Sequence, residues 1–175
     1  FLNMNFTFDD KIIPKLRFKE FKADWQEKKL LDFCTFFSGG TPSSSNREYY
    51  KGEIPFIGSG DIHDSKVFKY ISNEALNNSS AKLVKKGDLL YALYGATSGD
   101  SAISKIEGAI NQAILCLRTN ECIEYLNYLL VLNKGKIIRK YLQGGQGNLS
   151  ANIIKKLKYK IPEIKEQKKI ALFIS

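Results

Sequence analysis

Short polar side chains on glycine-punctuated stretches are the residues of this chain best suited to chemistry. Four stretches stand out: 38–46 (SGGTPSSSN), 58–63 (GSGDIH), 95–100 (GATSGD) and 143–148 (QGGQGN). Thr97 and Ser98 offer hydroxyls, whereas Gln143, Gln146 and Asn148 offer amides that donate and accept at once. Such amides match adenine edges, which show an acceptor and a donor side by side in the major groove. Asp61 and His63 could pair as a base and its orienter, but no Ser or Cys nucleophile is identifiable with them. Hydrogen bonding at a turn is the simpler role for Asp61. GSGDIH also fails the dinucleotide fingerprint, because His63 stands where the third glycine belongs and no helical pattern follows. An ordinary hairpin loop with no further task explains GATSGD equally well.

The elements around these stretches read as stiff supports. Residues 89–94 are almost all apolar or aromatic, the pattern of a strand buried on both faces, and a second apolar strand faces it across the GATSGD loop. Gly95 and Gly99 end the first run abruptly, which places Ala96, Thr97, Ser98 and Asp100 on a tight tip. IPFI before GSGDIH, KVFKYIS at 66–72 and KYKIP at 158–162 read as further strands. Leu126, Leu129, Leu130, Ile137, Ile138 and Leu142 recur at helical spacing, with acids at the start and bases at the end. Gly135 is expected to kink or break that helix. Ser150 is placed to cap a short helix, ANIIKKL. In the last segment Ile164, Ala171 and Ile174 fit the apolar seam of a coiled coil.

Composition narrows the classes of function. With 175 residues, 43% hydrophobic and 12% aromatic, the chain can bury a core and is not a disordered tail. Asp9 and Asp10 in the first segment, without a long apolar run, argue against a secretory signal or membrane anchor. The chain begins at Phe1 rather than Met, which reads as a fragment or processed product. Three cysteines, Cys34, Cys116 and Cys122, lack the paired spacing of a zinc site and suit a reduced, cytoplasmic protein. The net charge of +9 is uneven: residues 1–120 carry 16 Lys and Arg against 14 Asp and Glu, whereas residues 121–175 carry 11 against 4. Clustered cations of this kind form a footprint for a polyanion, although a solvated lysine-rich face has the same composition.

Taken in order, GGTPS, EYYKGEIPFIGSGDI, LVKKGDLLYALYGATSGDSAI, GAINQAILCLR and YLQGGQGNLSANIIKKLKYKIPEIKEQKKIA resemble a target recognition domain of the specificity subunit of type I restriction-modification enzymes. The resemblance covers residues 14–175. It implies a non-catalytic component that reads one half of a split sequence in double-stranded DNA. It further implies assembly with modification (methyltransferase) subunits and a restriction subunit. S-adenosylmethionine, magnesium and ATP are then expected only on those partner subunits, and no cofactor on this chain. Relatives of this kind carry two such domains separated by long helices, whereas this chain holds one domain and a short terminal helix. Pairing of two copies through that helix is one way to complete the pattern, and no membrane is involved.

The fold expected is α/β (α+β), a twisted mixed or antiparallel sheet with flanking helices followed by the start of a long coiled-coil-type helix. An arm would span 1–24, the recognition domain 25–161 and the truncated spacer helix 162–175. The glycine-rich loops would gather on one side and face DNA. There Thr97, Ser98, Gln143, Gln146 and Asn148, with Asp61 and His63, approach base edges, while Arg47, Lys51, Lys155 and Lys156 hold phosphates. No methyltransferase or nucleotide-binding signature is present, and the acids are scattered rather than clustered for metal-ion hydrolysis. Two alternatives remain: a small DNA-acting enzyme fragment, nuclease or methyltransferase, and a protein-interaction module with a basic surface.

Overall fold

The structure, a computed structural model, describes residues 17–142 and 148–175. Two four-stranded sheets form its centre. The first is antiparallel throughout and orders β2 (Cys34–Ser38), β9 (Ile114–Thr119), β6 (Leu89–Ala92) and β7 (Ser101–Ile103). The second orders β4 (Tyr70–Ile71), β3 (Ile54–Ile57), β8 (Gly108–Ile110) and β5 (Lys82–Val84), and its β3 and β8 run parallel. A separate pair joins β1 (Gln26–Lys29) to β10 (Lys158–Ile161), so the two ends of the described chain meet. This is the mixed α/β architecture expected.

Side-chain alternation along β6 and β9 explains why the sheets stack. Leu89, Tyr91 and Leu93 point, with Leu115 and Leu117, into a core closed by α2 (Ile123–Tyr141) and α3 (Ala151–Lys155). Leu90 and Ala92 point the other way, with Ile114 and Cys116, and meet Ile57, Val84 and Ile110 of the second sheet. Every residue of β6 is buried, as a strand covered on both faces must be. The outer face of the second sheet packs Phe56, Ile71 and Ala109 against Ala75 of α1 (Asn73–Asn77) and Tyr49 and Tyr50 of a 3-10 turn. The three cysteines are buried and unpaired, and burial pushes the Cys34 thiol up to about 11.

Several local expectations change in the folded chain. Gly135 does not break α2, which runs unbroken through nineteen residues, because this glycine lies on the exposed face where no packed neighbour bends it. The strand expected over 66–72 shrinks to Tyr70–Ile71, which pairs with β3. Phe68, within that stretch, is wholly exposed. Ser150 does cap α3, accepting the Ile153 N–H at 3.3 Å. In α4 (Ile164–Ile174) the inward line is Glu166, Gln167, Ile170 and Ala171. The seam Ile164, Ala171, Ile174 is therefore divided: Ala171 packs inward while Ile164 and Ile174 stay exposed. Of the expected arm, only residues 17–24 are among the described residues, and there Phe18 packs edge-on against Phe173 of α4 at 5.9 Å.

A turn at 85–88 fastens β5 to β6 and is held by Asp88. Its carboxylate accepts the Lys85 N–H at 2.8 Å and both Nε and Nη2 of Arg118, at 2.8 and 2.6 Å. Burial pushes the Asp88 carboxyl up, but the bonds from Arg118 and Lys85 outweigh it and hold the group below its ordinary value. A carboxyl whose pKa is lowered by folding stabilises the fold above its unfolded value, and that contribution disappears as pH falls through the lowered one. Urea unfolding at about pH 6 and about pH 3 should therefore show a smaller loss for Asp88→Asn than for the unaltered chain. Because the Arg118 side chain is 42% exposed, the difference is about 1 kcal/mol or less. Equal losses would show that the pair contributes nothing.

Candidate nucleic-acid interface

The strands of both sheets end at one common edge, and four connections leave from it. They follow β2 (39–46), β3 (58–69), β6 (93–100) and β8 (111–113). The β6–β7 tip sits among the others. Its own shape is set by the Gly99 N–H reaching the Ala92 carbonyl at 2.8 Å, with Gly95 and Gly99 both at positive φ. Ser98 Oγ donates to the Leu93 carbonyl at 2.9 Å, and Thr97 Oγ1 donates to the Ser59 carbonyl at 2.9 Å. That last bond joins a tip of the first sheet to the tip of the second.

Neighbouring bonds complete the edge. Tyr94 Oη donates to the Gln112 carbonyl at 2.5 Å, and burial pushes the Tyr94 phenol up, so it remains a donor. Thr41 Oγ1 donates to Gln112 Oε1 at 2.8 Å, tying the loop after β2 to the turn after β8. The Leu149 N–H reaches the Leu93 carbonyl at 3.2 Å, which brings the segment around exposed Asn148 to the same place. Helix α2 is anchored there through an ion pair between Lys134 and Asp100 and through Ser101 Oγ donating to Asn127 Oδ1 at 2.9 Å.

The candidate residues take different positions on this frame. Ser98 donates its hydroxyl proton within its own tip and Thr97 to the neighbouring tip, so both keep only acceptor capacity for an outside partner. Asp61 closes its own turn, accepting the Gly58 N–H at 2.9 Å with one oxygen, the role its sequence context suggested. His63 is exposed, and its carbonyl accepts Lys105 Nζ at 2.7 Å. Gln143 and Gln146 lie outside the described residues.

The four phosphate candidates do not form one group. Lys51 is engaged with Glu48 at 2.6 Å and Lys155 lies 5.7 Å over the Phe36 ring, while Arg47 and Lys156 are exposed on separate elements. Residues that the sequence did not single out stand at the centre instead: Thr41, Tyr94 and Gln112. The available signal was the polar pair Asn111–Gln112 between two apolar runs, GAI and AILCL, the pattern of a tight turn.

Chemically the edge offers amide, imidazole and acceptor oxygens held on rigid strand ends. Among the described residues no group of three His, Cys, Asp or Glu side chains is arranged to hold a metal ion, and no helix is long and apolar enough to cross a membrane.

Residues 22–175 match the family described as the type I restriction modification DNA specificity domain. The chain belongs to this family. Among curated proteins it is similar to the type I restriction enzyme MjaIX specificity subunit of Methanocaldococcus jannaschii, 30% identical over 165 residues that cover 87% of this chain and 37% of that one. It is also similar to the HindI specificity subunit of Haemophilus influenzae, 26% identical over 136 residues covering 73% and 29% of the two chains. In solved structures the same fold occurs in the HsdS subunit from Thermoanaerobacter tengcongensis, with a TM-score of 0.64 at 19% identity over 86% of this chain and 36% of that one. The S subunit from M. genitalium matches with a TM-score of 0.64 at 16% identity, over 85% of this chain and 37% of that one. The chain thus covers only between 29% and 37% of the length of these fuller relatives.

Proposed function

We propose that this specificity domain binds double-stranded DNA through the common edge and reads one half of a bipartite target. It would thereby direct modification and restriction subunits to that site. The observation that carries the reading is the joining of loops from both sheets at one rigid edge, through Thr97 with Ser59 and Thr41 with Gln112. Gln112, His63 and Asn148 are left exposed on these loops. Specific readout needs polar groups pre-set on a stiff frame, and this edge provides them. The chain itself acts without a cofactor: S-adenosylmethionine, magnesium and ATP belong to the partner subunits, and the complex works in the cytoplasm. Leu172 and Phe173, exposed on α4, form the surface through which a further helix or a second copy would extend the domain.

Titration of the chain with duplex DNA at several salt concentrations tests the reading. Each phosphate that a cation of this domain neutralises should steepen the slope of log affinity against log salt by about 0.9. A flat salt response would remove DNA as the partner and favour a protein ligand. Turnover of DNA by the pure chain with magnesium or S-adenosylmethionine would make it an enzyme instead.

A further inference from the structure

Gln112 presents an exposed amide where connections of both sheets meet. It follows Asn111 in the turn between β8 and β9, and Asn111 makes that turn stiff. Asn111 Oδ1 accepts the Ala113 N–H at 2.9 Å, while its carbonyl accepts the N–H groups of Gly39 and Ile114 at 3.2 and 3.4 Å. Tyr94 Oη grips the Gln112 carbonyl from the β6–β7 tip. The backbone of Gln112 is thus fixed from two sheets, whereas its side chain is exposed.

The side chain is oriented as well. Thr41 Oγ1 donates to Oε1, which sets the oxygen end of the amide toward Thr41 and leaves that oxygen a second lone pair. The Nε2 group has no hydrogen-bond partner among the described residues. An outside ligand therefore meets one donor and one acceptor side by side, already held in a single arrangement. That pair is complementary to adenine, whose N6 amino group donates and whose N7 accepts in the major groove. Holding a flexible side chain in its bound arrangement beforehand lowers the entropy lost on association.

We propose that Gln112 reads an adenine of the target, with Thr41 and Tyr94 as its positioning residues; this rests on the DNA-reading role argued above. The neighbouring candidates fit the task less well. Thr97 and Ser98 have donated their protons inward, and Asp61 can only accept and is engaged with Gly58.

Selection of duplexes from a randomised pool, with sequencing of the bound fraction, distinguishes the outcomes for the whole chain and three variants. The unaltered chain should enrich a motif with at least one A·T pair. Gln112→Ala should flatten the preference at a single A·T position by about 10- to 100-fold, the scale of one bidentate contact, and leave other positions and the salt slope unchanged. Gln112→Glu should move that position toward C, because a carboxylate accepts from the cytosine amino group. Thr41→Val should weaken the same position by a few-fold only. Should Gln112→Ala lower the melting temperature, the equal-sized Gln112→Glu decides: a shift toward C supports the assignment, and an unshifted motif overturns it. An unchanged motif in a well-folded Gln112→Ala overturns the assignment while the DNA-reading role stands. An unaltered chain that enriches no motif overturns both.

Discussion

Arg17→Ala is expected to destabilise the folded chain by about 3–5 kcal/mol, because it strands a buried carboxylate. The Glu166 side chain is fully buried, and both its oxygens are held by one guanidinium, Nε to Oε1 at 2.7 Å and Nη2 to Oε2 at 2.6 Å. Arg17 Nη2 also donates to the Ala23 carbonyl at 2.7 Å, which closes the arm on itself. Tyr125, which shares an apolar cluster with Trp25 and Ile170, feels the pair: the negative charge of Glu166 adds to burial in pushing its phenol up. Removal of the cation leaves an ion in apolar surroundings, which costs far more than the net worth of the pair. Arg17→Lys should recover only part of the loss, since an ammonium cannot reproduce the two-pronged bond. The double change Arg17→Met with Glu166→Gln should be milder than Arg17→Ala alone, because no charge is left buried. Urea unfolding measures each, with the midpoint falling at constant slope. A loss under about 0.5 kcal/mol for Arg17→Ala would show that solvent reaches Glu166 once the arginine is gone.

This pair also marks where the sequence stopped being legible. Local pattern was enough to place IPFI as β3, to bury 89–92 on both faces and to cap α3 with Ser150, since each depends on neighbours within a few residues. The inward face of α4 is not legible in the sequence, because apolar periodicity counts Ile164 and Ile174 but cannot count Glu166, whose burial depends on an arginine 149 residues away. Gln167 is buried for a similar reason, accepting the Cys122 N–H at 3.1 Å and donating to the Pro162 carbonyl at 2.9 Å.

Legibility at the candidate site divides along the same line. Glycine-rich stretches and their hydroxyls announced the tips, yet whether a hydroxyl faces outward depends on a distant acceptor. Thr97 finds the Ser59 carbonyl 38 residues earlier, and no local signal shows it. Gln112 was hidden because its turn is too short to form a glycine-rich loop, and its partner Thr41 is 71 residues away. Family resemblance gave the role of the domain but not its readers, since residues that select a sequence differ between relatives with different targets.

The contact that brings these distant groups together is also sensitive to any added side chain. At Gly39 the end of β2 crosses the end of β8 backbone to backbone, with the Gly39 N–H donating to the Asn111 carbonyl at 3.2 Å. A Cβ at this position would stand 1.7 Å from the Ile110 carbonyl oxygen and 2.6 Å from its carbon. Those are main-chain atoms of a buried strand, so no side-chain rotation relieves the clash and the two sheets must part. Gly39→Ala should therefore reach or exceed the upper range of overpacking, about 3 kcal/mol. For a domain of this size that is a fall in melting temperature of roughly 6–12 °C. Gly60→Ala is the matched control: its Cβ would have nothing within 4 Å, and its effect should stay within about 0.5 kcal/mol. The functional consequence follows from the same geometry. Parting β2 from β8 carries Thr41 away from Gln112, so Gly39→Ala should lose base discrimination even at temperatures where most of the chain remains folded. Unchanged melting together with an unchanged motif would show that the sheets can shift apart without cost, and that the edge is not the rigid frame on which readout depends.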